Sequence, residues 1–158
     1  MYLYARFVYR ILHHKWWVLL YGLKIGGIPL RRLIVHDFSK FHRAEFFPRF
    51  KRQILCTLKD GDLEWELAKD YHHRHNAHHW QYWVRSGVAL PMPEAFVREM
   101  VADWFAAKKT YNDTVPGWLR EEFPKMNLHI ETVSCMIKVL SEQKVPLKEW
   151  FRPKKQAA

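Results

Sequence analysis

Apolar residues recur along most of the chain at intervals of three and four positions, the period of an amphipathic α-helix. Helix-breaking sequences separate these stretches, namely Gly26-Gly27-Ile28-Pro29, Asp60-Gly61-Asp62 and the loop 86–93 with its glycine and two prolines. The pattern predicts helices over residues 3–25, 30–42, 45–57, 62–85, 93–111, 114–123 and 130–143. Strand-like alternation of apolar and polar residues is absent from the sequence.

These segments predict an all-α protein, a single compact domain of about six to seven helices over residues 1–150. Residues 151–158 are expected to form a basic C-terminal tail. With 158 residues, the chain is long enough to bury a core without cross-links. Its two cysteines, Cys56 and Cys135, are too few for a disulfide scaffold and favour free thiols in a reducing compartment.

The charge of the chain is strongly positive, with 26 Lys and Arg against 16 Asp and Glu and a net charge of +10. This excess favours anionic partners such as phosphorylated small molecules, nucleic acid or acidic lipid. No acidic residue precedes Asp37, and the longest uncharged run before it, Trp16–Leu23, is too short to span a membrane. We expect a cytoplasmic protein, with peripheral membrane contact or mitochondrial targeting as open alternatives.

Three polar residues interrupt the apolar faces of three predicted helices. His14 lies within the apolar face of the first helix, Asp37 within that of the second and Asp103 within that of the fifth. A buried, ionised carboxylate is costly unless a cation or several donors satisfy it. A single such residue is usually satisfied by protein groups, but three of them, with His36 beside Asp37, indicate a common cation.

A second cluster of polar residues is the histidine-rich stretch 71–80, which holds five of the ten histidines. On a continuous helix His75 and His79 are four positions apart, a spacing that lets two imidazoles hold one ion, so they form a candidate second metal site. A solvent-exposed histidine face is the alternative. Aromatic residues that follow, such as Trp83, could stack on a nucleobase, although packing in the core is the commoner role.

In their order along the chain, His14, His36-Asp37 and Asp103 resemble the H…HD…D pattern of the HD-domain superfamily. The superfamily consists of all-α, metal-dependent proteins, most of them phosphohydrolases. A closer resemblance is to an uncharacterised group of HD-like proteins from phages and bacteria. Three segments carry that resemblance: residues 36–41 followed by Glu45-Phe46, residues 76–83, and residues 99–104.

The resemblance implies a metal-dependent hydrolase that acts on a phosphorylated small molecule, with a nucleotide as the expected substrate. His14, His36, Asp37 and Asp103 would hold the metal. One or two divalent ions are expected, and nitrogen and oxygen ligands suit Mn, Fe, Co, Ni or Zn. Further residues receive expected roles on the same basis: Lys40, His72 and His79 in catalysis, and Asn76, His78 and Trp83 in substrate binding.

Two other functional classes remain open. The superfamily resemblance also extends to dinuclear-iron oxygenases, which use a similar ligand set, and the histidine-rich stretch could complete it. A non-catalytic basic protein that binds nucleic acid or an anionic membrane would explain the net charge of +10 without any reaction. The chain has short loops between its motifs and no glycine-rich phosphate loop, so its residues alone do not select a substrate.

Overall fold

The computed structural model describes residues 2–111 and 115–146. Within these ranges the fold is all-α, as the sequence predicts, and the number of α-helices is seven. They are α1 (Tyr2–Ile25), α2 (Leu30–Val35), α3 (Arg43–Phe50), α4 (Leu63–His75), α5 (Glu94–Tyr111), α6 (Val115–Glu122) and α7 (Ile130–Glu142). The expected tail over residues 151–158 lies outside the described residues.

Two predicted helices are shorter than the apolar periodicity indicates. The helix expected over residues 30–42 ends at Val35, because His36 has an extended backbone and Asp37 is left-handed with φ 54°. A separate 3₁₀ turn, Phe38–Phe41, follows. The helix expected over 62–85 ends at His75, and a 3₁₀ turn, Trp80–Trp83, stands apart from it. Both breaks fall at histidine-rich positions.

A two-stranded hairpin corrects the expectation that the chain has no strands. Strands β1 (Val84–Arg85) and β2 (Val88–Ala89) pair antiparallel around Ser86-Gly87. Both turn residues have positive φ, 50° for Ser86 and 81° for Gly87, which suits a two-residue hairpin turn. Strands of two residues are too short to leave an alternating pattern in the sequence.

The segment predicted as a helix over residues 45–57 is also divided. Helix α3 ends at Phe50, and a π-helical turn, Lys51–Leu55, continues it. Cys56 then ends the turn in a left-handed conformation, with φ 54°. Because the π-helical turn follows α3 directly, the apolar periodicity predicts one helix over the whole stretch.

The buried apolar side chains form two clusters. The larger lies among α1, α5, α6 and α7 and includes Val18, Val97 and Leu119. The smaller joins the start of α1 to α3 through Phe7, Ile11 and Phe50. Helices α1 and α5 form the most extensive helix pair of the described chain. On α1 the two clusters are separated by about two turns, from Ile11 to Val18, and the residue buried between them is His14.

Helix α2 packs back against α1 through one tight contact. A Cβ built on Gly22 would lie 2.3 Å from Cδ2 of Leu33, so only glycine allows this approach. Leu33 is 1% exposed, whereas Leu30 on the same short helix is 55% exposed. No helix within residues 2–111 and 115–146 is long and apolar enough to cross a membrane.

Leu33→Ala should lower the free energy of unfolding by about 2–5 kcal/mol, because it leaves a cavity where α2 meets α1. Leu30→Ala on the same helix is the matched control and should change that free energy by less than about 0.5 kcal/mol. Urea unfolding followed by circular dichroism measures both. Equal effects of the two substitutions would contradict this orientation of α2.

Candidate metal centre

The structure brings His14, His36, Asp37 and Asp103 together in the gap between the two apolar clusters. His14 lies on α1, Asp103 on α5, and His36 and Asp37 follow α2. His14 Nε2 is 2.9 Å from Asp103 Oδ1 and 3.7 Å from Asp37 Oδ2. His36 Nε2 is 3.4 Å from Asp37 Oδ2. One atom from each residue lies within 4.8 Å of the others, so these four side chains could hold one metal ion.

The backbone of Asp37 adopts a conformation that few non-glycine residues take. Its left-handed φ and ψ of 54° and 25° turn the carboxylate inward, where it is 2% exposed. Aspartate tolerates this region better than most residues, and such conformations are found disproportionately at functional sites. Lys40, predicted to act in catalysis, lies on the next turn with Nζ 2.5 Å from Asp37 Oδ2.

A second group of potential ligands surrounds the other oxygen of Asp37. His72 Nε2 and His78 Nε2 lie 3.6 Å and 3.4 Å from Asp37 Oδ1. His79 Nε2 is 2.7 Å from His72 Nε2. Asp37, His72, His78 and His79 therefore form a further group that could hold a metal ion, and Asp37 belongs to both groups. His78, expected to bind substrate, lies among the potential ligands instead.

Two buried glutamates that the sequence analysis did not assign hold the outer sides of these imidazoles. Glu99 is 1% exposed and contacts His36 Nδ1 at 3.0 Å and His78 Nδ1 at 3.4 Å. Arg32 Nη2 neutralises the same carboxylate at 2.6 Å. A signal was present in the sequence, because Glu99 lies four positions before Asp103 and therefore on the same side of α5.

Glu45 plays the corresponding role for the second group. It is fully buried, lies 2.8 Å from His72 Nδ1 and pairs with Arg49 Nε at 2.5 Å. Ser39 Oγ donates to Glu45, and Asn76 Nδ2 donates to Ser39 Oγ and to the His72 carbonyl. Asn76, expected to bind substrate, is thus occupied in holding His72 in place.

On the inner side of the site, several buried polar atoms lack the partners that the outer atoms have. His36 Nε2, His78 Nε2 and Asp37 Oδ1 are buried without a hydrogen-bond partner in the part of the chain that the structure describes. Ligand histidines typically direct one nitrogen at the metal while the other meets a carboxylate, and His36, His72 and His78 fit that pattern. His14 differs, because its Nδ1 is buried without a partner among the described residues. A third group, His36, His78 and Glu99, uses the outer nitrogens, where Arg32 already pairs with Glu99.

The expected His75–His79 pair does not form. Because α4 ends at His75, the two residues are not one helical turn apart. His75 is exposed, its Nδ1 lies 2.7 Å from the Tyr71 carbonyl, and its ring stacks on Tyr71. His79 reaches the site from the loop after the helix and faces His72 instead.

Trp83, expected to bind substrate, belongs to the core. Its Nε1 donates to the Ala77 carbonyl at 2.7 Å, and its ring packs edge-on against Phe96 with the centroids 5.3 Å apart. The side chain is partly buried against the larger apolar cluster. Packing of the indole, with its nitrogen satisfied by a carbonyl, therefore replaces the base-stacking role that the sequence left open.

Burial and charge divide the histidines of the site into two kinds. Burial holds the pKa of His72 and His79 well below the usual 6.5 and also lowers the pKa of His14. Burial opposes the charged form of His36 as well, but the carboxylates around it, Asp37 first, raise its pKa well above 6.5. Three imidazoles are therefore neutral near pH 7, the form that binds a metal.

The carboxylates at the centre stay ionised. Burial acts to raise the pKa of Asp37, yet His36 and Lys40 outweigh it and hold that pKa well below the usual value. Burial also acts to raise the pKa of Asp103, but hydrogen bonds from His14 and His36 outweigh it and hold that pKa well below the usual value. The site therefore keeps its negative charge at neutral pH.

A narrow cleft leads from the surface to this centre beside His14. Its lining is predominantly basic and apolar: Phe7, Arg10, Ile11, His14, Lys40, Arg49 and Gln53. No acidic residue lines the cleft, and two of its three cations, Lys40 and Arg49, pair with the buried carboxylates of Asp37 and Glu45.

The metal-free protein should lose stability as the pH falls below about 6.5. The unfolded chain takes up protons on His14, His72 and His79 in that range, while the folded chain, with lowered pKa values, does not. The contribution of His36, whose pKa is raised, is complete below 6.5 and disappears only as the pH rises through that raised value. Urea unfolding after chelation, between about pH 5 and about pH 7.5, measures the slope.

His72→Gln should reduce that slope, and His75→Gln, a change at an exposed histidine of the same helix, should leave it unchanged. Identical slopes in both variants would contradict the assignment of the pH dependence to the buried site.

Most of the chain matches a known protein family. No curated protein and no solved structure matches the chain. A family of unknown function matches residues 3–142, a range that includes every residue of the two ligand groups. The chain therefore belongs to that family, DUF5662.

Proposed function

We propose that the protein binds one or two divalent transition-metal ions and hydrolyses a phosphorylated small molecule, with a nucleotide as the expected class. The observation that carries the proposal is the position of Asp37, which belongs to two buried groups of potential ligands at once. Within the described residues, Oδ1 of this carboxylate and Nε2 of His36 and of His78 beside it are buried without hydrogen-bond partners. A cation would satisfy them, and without one their burial is costly.

The residues that would hold the ions follow from the two groups. His14 and His36 lie near Oδ2 of Asp37, and Asp103 contacts His14. His72 and His78 lie near Oδ1 of Asp37. His79 completes the second group. Nitrogen and oxygen ligands without thiolate suit Mn, Fe, Co, Ni or Zn.

A divalent ion bound in such a site would lower the pKa of a bound water molecule and polarise a phosphoryl oxygen. The residues of this chain would provide the rest of the reaction. Arg10, Lys40 and Arg49 line the cleft and would neutralise the phosphate as it approaches. Hydrolysis joins the water oxygen to phosphorus, breaks the ester P–O bond and moves one proton to the leaving group. When only the first group holds an ion, His79, half-buried and neutral near pH 7, is free of metal and suited to move that proton.

A second candidate function is oxygenation at a dinuclear iron centre. The specific observation that favours it is the sharing of Asp37 between two ligand groups rich in histidine. Imidazole and carboxylate are also suitable ligands for iron. Metal identity separates the two functions, because two irons per chain with an absorption band in the visible range and no phosphate release would favour oxygenation.

Protein produced without a histidine tag should contain one or two transition-metal ions per chain by elemental analysis. Asp37→Asn should lose most of that metal, because it removes the charge common to both ligand groups while keeping the side chain's size. Asp70→Asn, at an exposed carboxylate of α4 paired with Arg74, is the matched control and should keep the wild-type metal content. Metal content in Asp37→Asn equal to that of the wild type would contradict the assignment.

Phosphate release from a panel of nucleotides, with each divalent metal in turn, tests the reaction itself. Asp37→Asn should abolish release. His79→Ala should keep at least one ion and lose roughly 10²–10⁴-fold in turnover, the usual effect of removing a positioned acid–base group. His75→Ala, outside the site, should retain full activity. Full activity in His79→Ala would exclude His79 from proton transfer, and no release from any nucleotide by metal-loaded wild type would overturn the proposed substrate class.

A further inference from the structure

The outer side of α1 carries a row of exposed, large apolar side chains. They are Tyr9, Leu12, Trp16, Leu20 and Leu23, with exposed fractions of 65%, 50%, 56%, 38% and 58%. Their spacing of three and four positions places them on one face of the helix, opposite the face that buries His14. Helix α1 is therefore apolar on both sides, because its interior side also buries Phe7, Ile11 and Val18.

Helix α2 extends the same apolar surface. It lies beside α1, because Leu33 packs on Gly22 and Lys15 Nζ donates to the Ile34 carbonyl at 3.2 Å. Its exposed residues and those of the following turn are also apolar: Leu30, Ile34, Val35 and Phe38, each more than half exposed. We call these residues and the row on α1 the α1–α2 apolar face. Exposed apolar residues that are grouped in this way mark an interaction surface, whereas scattered ones do not.

The charge around the α1–α2 apolar face has a single sign. Residues 1–36 contain no aspartate or glutamate. Arg6, Lys24 and Arg31 are exposed on the two helices, and Lys109 at the end of α5 lies 5.5 Å from the ring centroid of Trp17. A partner that covers this face must therefore be apolar at its centre and negative at its edge.

We propose that the α1–α2 apolar face docks on the surface of an anionic lipid membrane, with α1 lying along the interface rather than crossing it. Leucine and tryptophan side chains of an interfacial helix enter the boundary between head groups and acyl chains, and lysine or arginine beside them meets anionic head groups. Each such basic residue contributes about 1 kcal/mol near an anionic surface. Tyrosine and tryptophan, which combine an apolar ring with a polar group, are favoured at that depth.

Charge argues against a second copy of this chain as the occupant. Two α1 helices that packed through the row of leucines would bring Arg6 and Lys24 of each copy near the same residues of the other. Paired helices are normally flanked by charges of opposite sign, and the first 36 residues contain no acidic side chain to pair with these basic ones. A nucleic acid would match the charge, but its phosphates would leave the leucines in water.

The proposal does not depend on the metal centre. The apolar row and His14 lie on opposite faces of α1, and no member of the α1–α2 apolar face belongs to either ligand group. Docking would leave the ligand groups, which lie on the other side of α1, away from the lipid. Loss of metal and loss of membrane binding are therefore separable experimentally.

Co-flotation of the full-length protein with vesicles tests the proposal. Binding is expected to vesicles of phosphatidylcholine with about 30% phosphatidylserine, to decrease as salt is raised, and to be weak on pure phosphatidylcholine. Leu12→Glu and Leu23→Glu should each reduce binding by roughly tenfold or more, because they put a negative charge into the apolar row. Leu67→Glu on α4 is the control, since Leu67 is 59% exposed against 58% for Leu23, and it should bind as the wild type does.

Thermal unfolding and metal content of each variant establish that the fold is retained. Wild-type binding by both Leu12→Glu and Leu23→Glu would overturn the proposal. So would a wild-type protein that fails to bind anionic vesicles, and a dimer in sedimentation that Leu23→Glu dissociates would then assign the face to a second copy.

Discussion

The carboxylate of Asp37, 2% exposed and ionised, is the constraint around which this fold is arranged. An ionised carboxylate without water is costly by several kcal/mol unless positive or donating groups surround it. Four parts of the chain meet that requirement: α1 through His14, the turn after α2 through Lys40, and α4 and its loop through His72 and His78. The left-handed backbone at Asp37 is retained because so many contacts fix its side chain.

Two routes of buried polar contacts extend outward from that carboxylate, and each ends at an arginine. On one route Asp37 is followed by His36, Glu99 and Arg32, and the second route runs through His72, Glu45 and Arg49. On these two routes each buried group has a hydrogen-bonding or charged neighbour on its outer side. Among the described residues, Nε2 of His36, Nε2 of His78 and Oδ1 of Asp37 lack a partner toward the centre, and the metal ions that we propose would satisfy them.

The two faces of α1 express two functions that we propose independently. Its inner face joins two apolar clusters and places His14 between them, so the helix both completes the core and contributes to the candidate metal centre. Its outer face is apolar and surrounded by basic side chains. The two proposals together describe a hydrolase held at an anionic surface.

The sequence alone determined the fold class and much of the centre. Helical periodicity predicts the all-α fold, and polar residues within apolar faces identify His14, Asp37 and Asp103, since burying them requires a cation or several donors. His36 is identified by its position beside Asp37, and His72 by the histidine-rich stretch.

Only the tertiary structure decided which of the remaining histidines face the centre. The backbone leaves the helix after Val35 and after His75, and apolar spacing cannot detect a left-handed residue or an early helix end. For that reason His78 and His79 reach Asp37 from a loop while His75 faces solvent. Glu45 and Glu99 acquire their roles through contacts between residues 27 and 63 positions apart, such as those with His72 and His36, which no local pattern encodes.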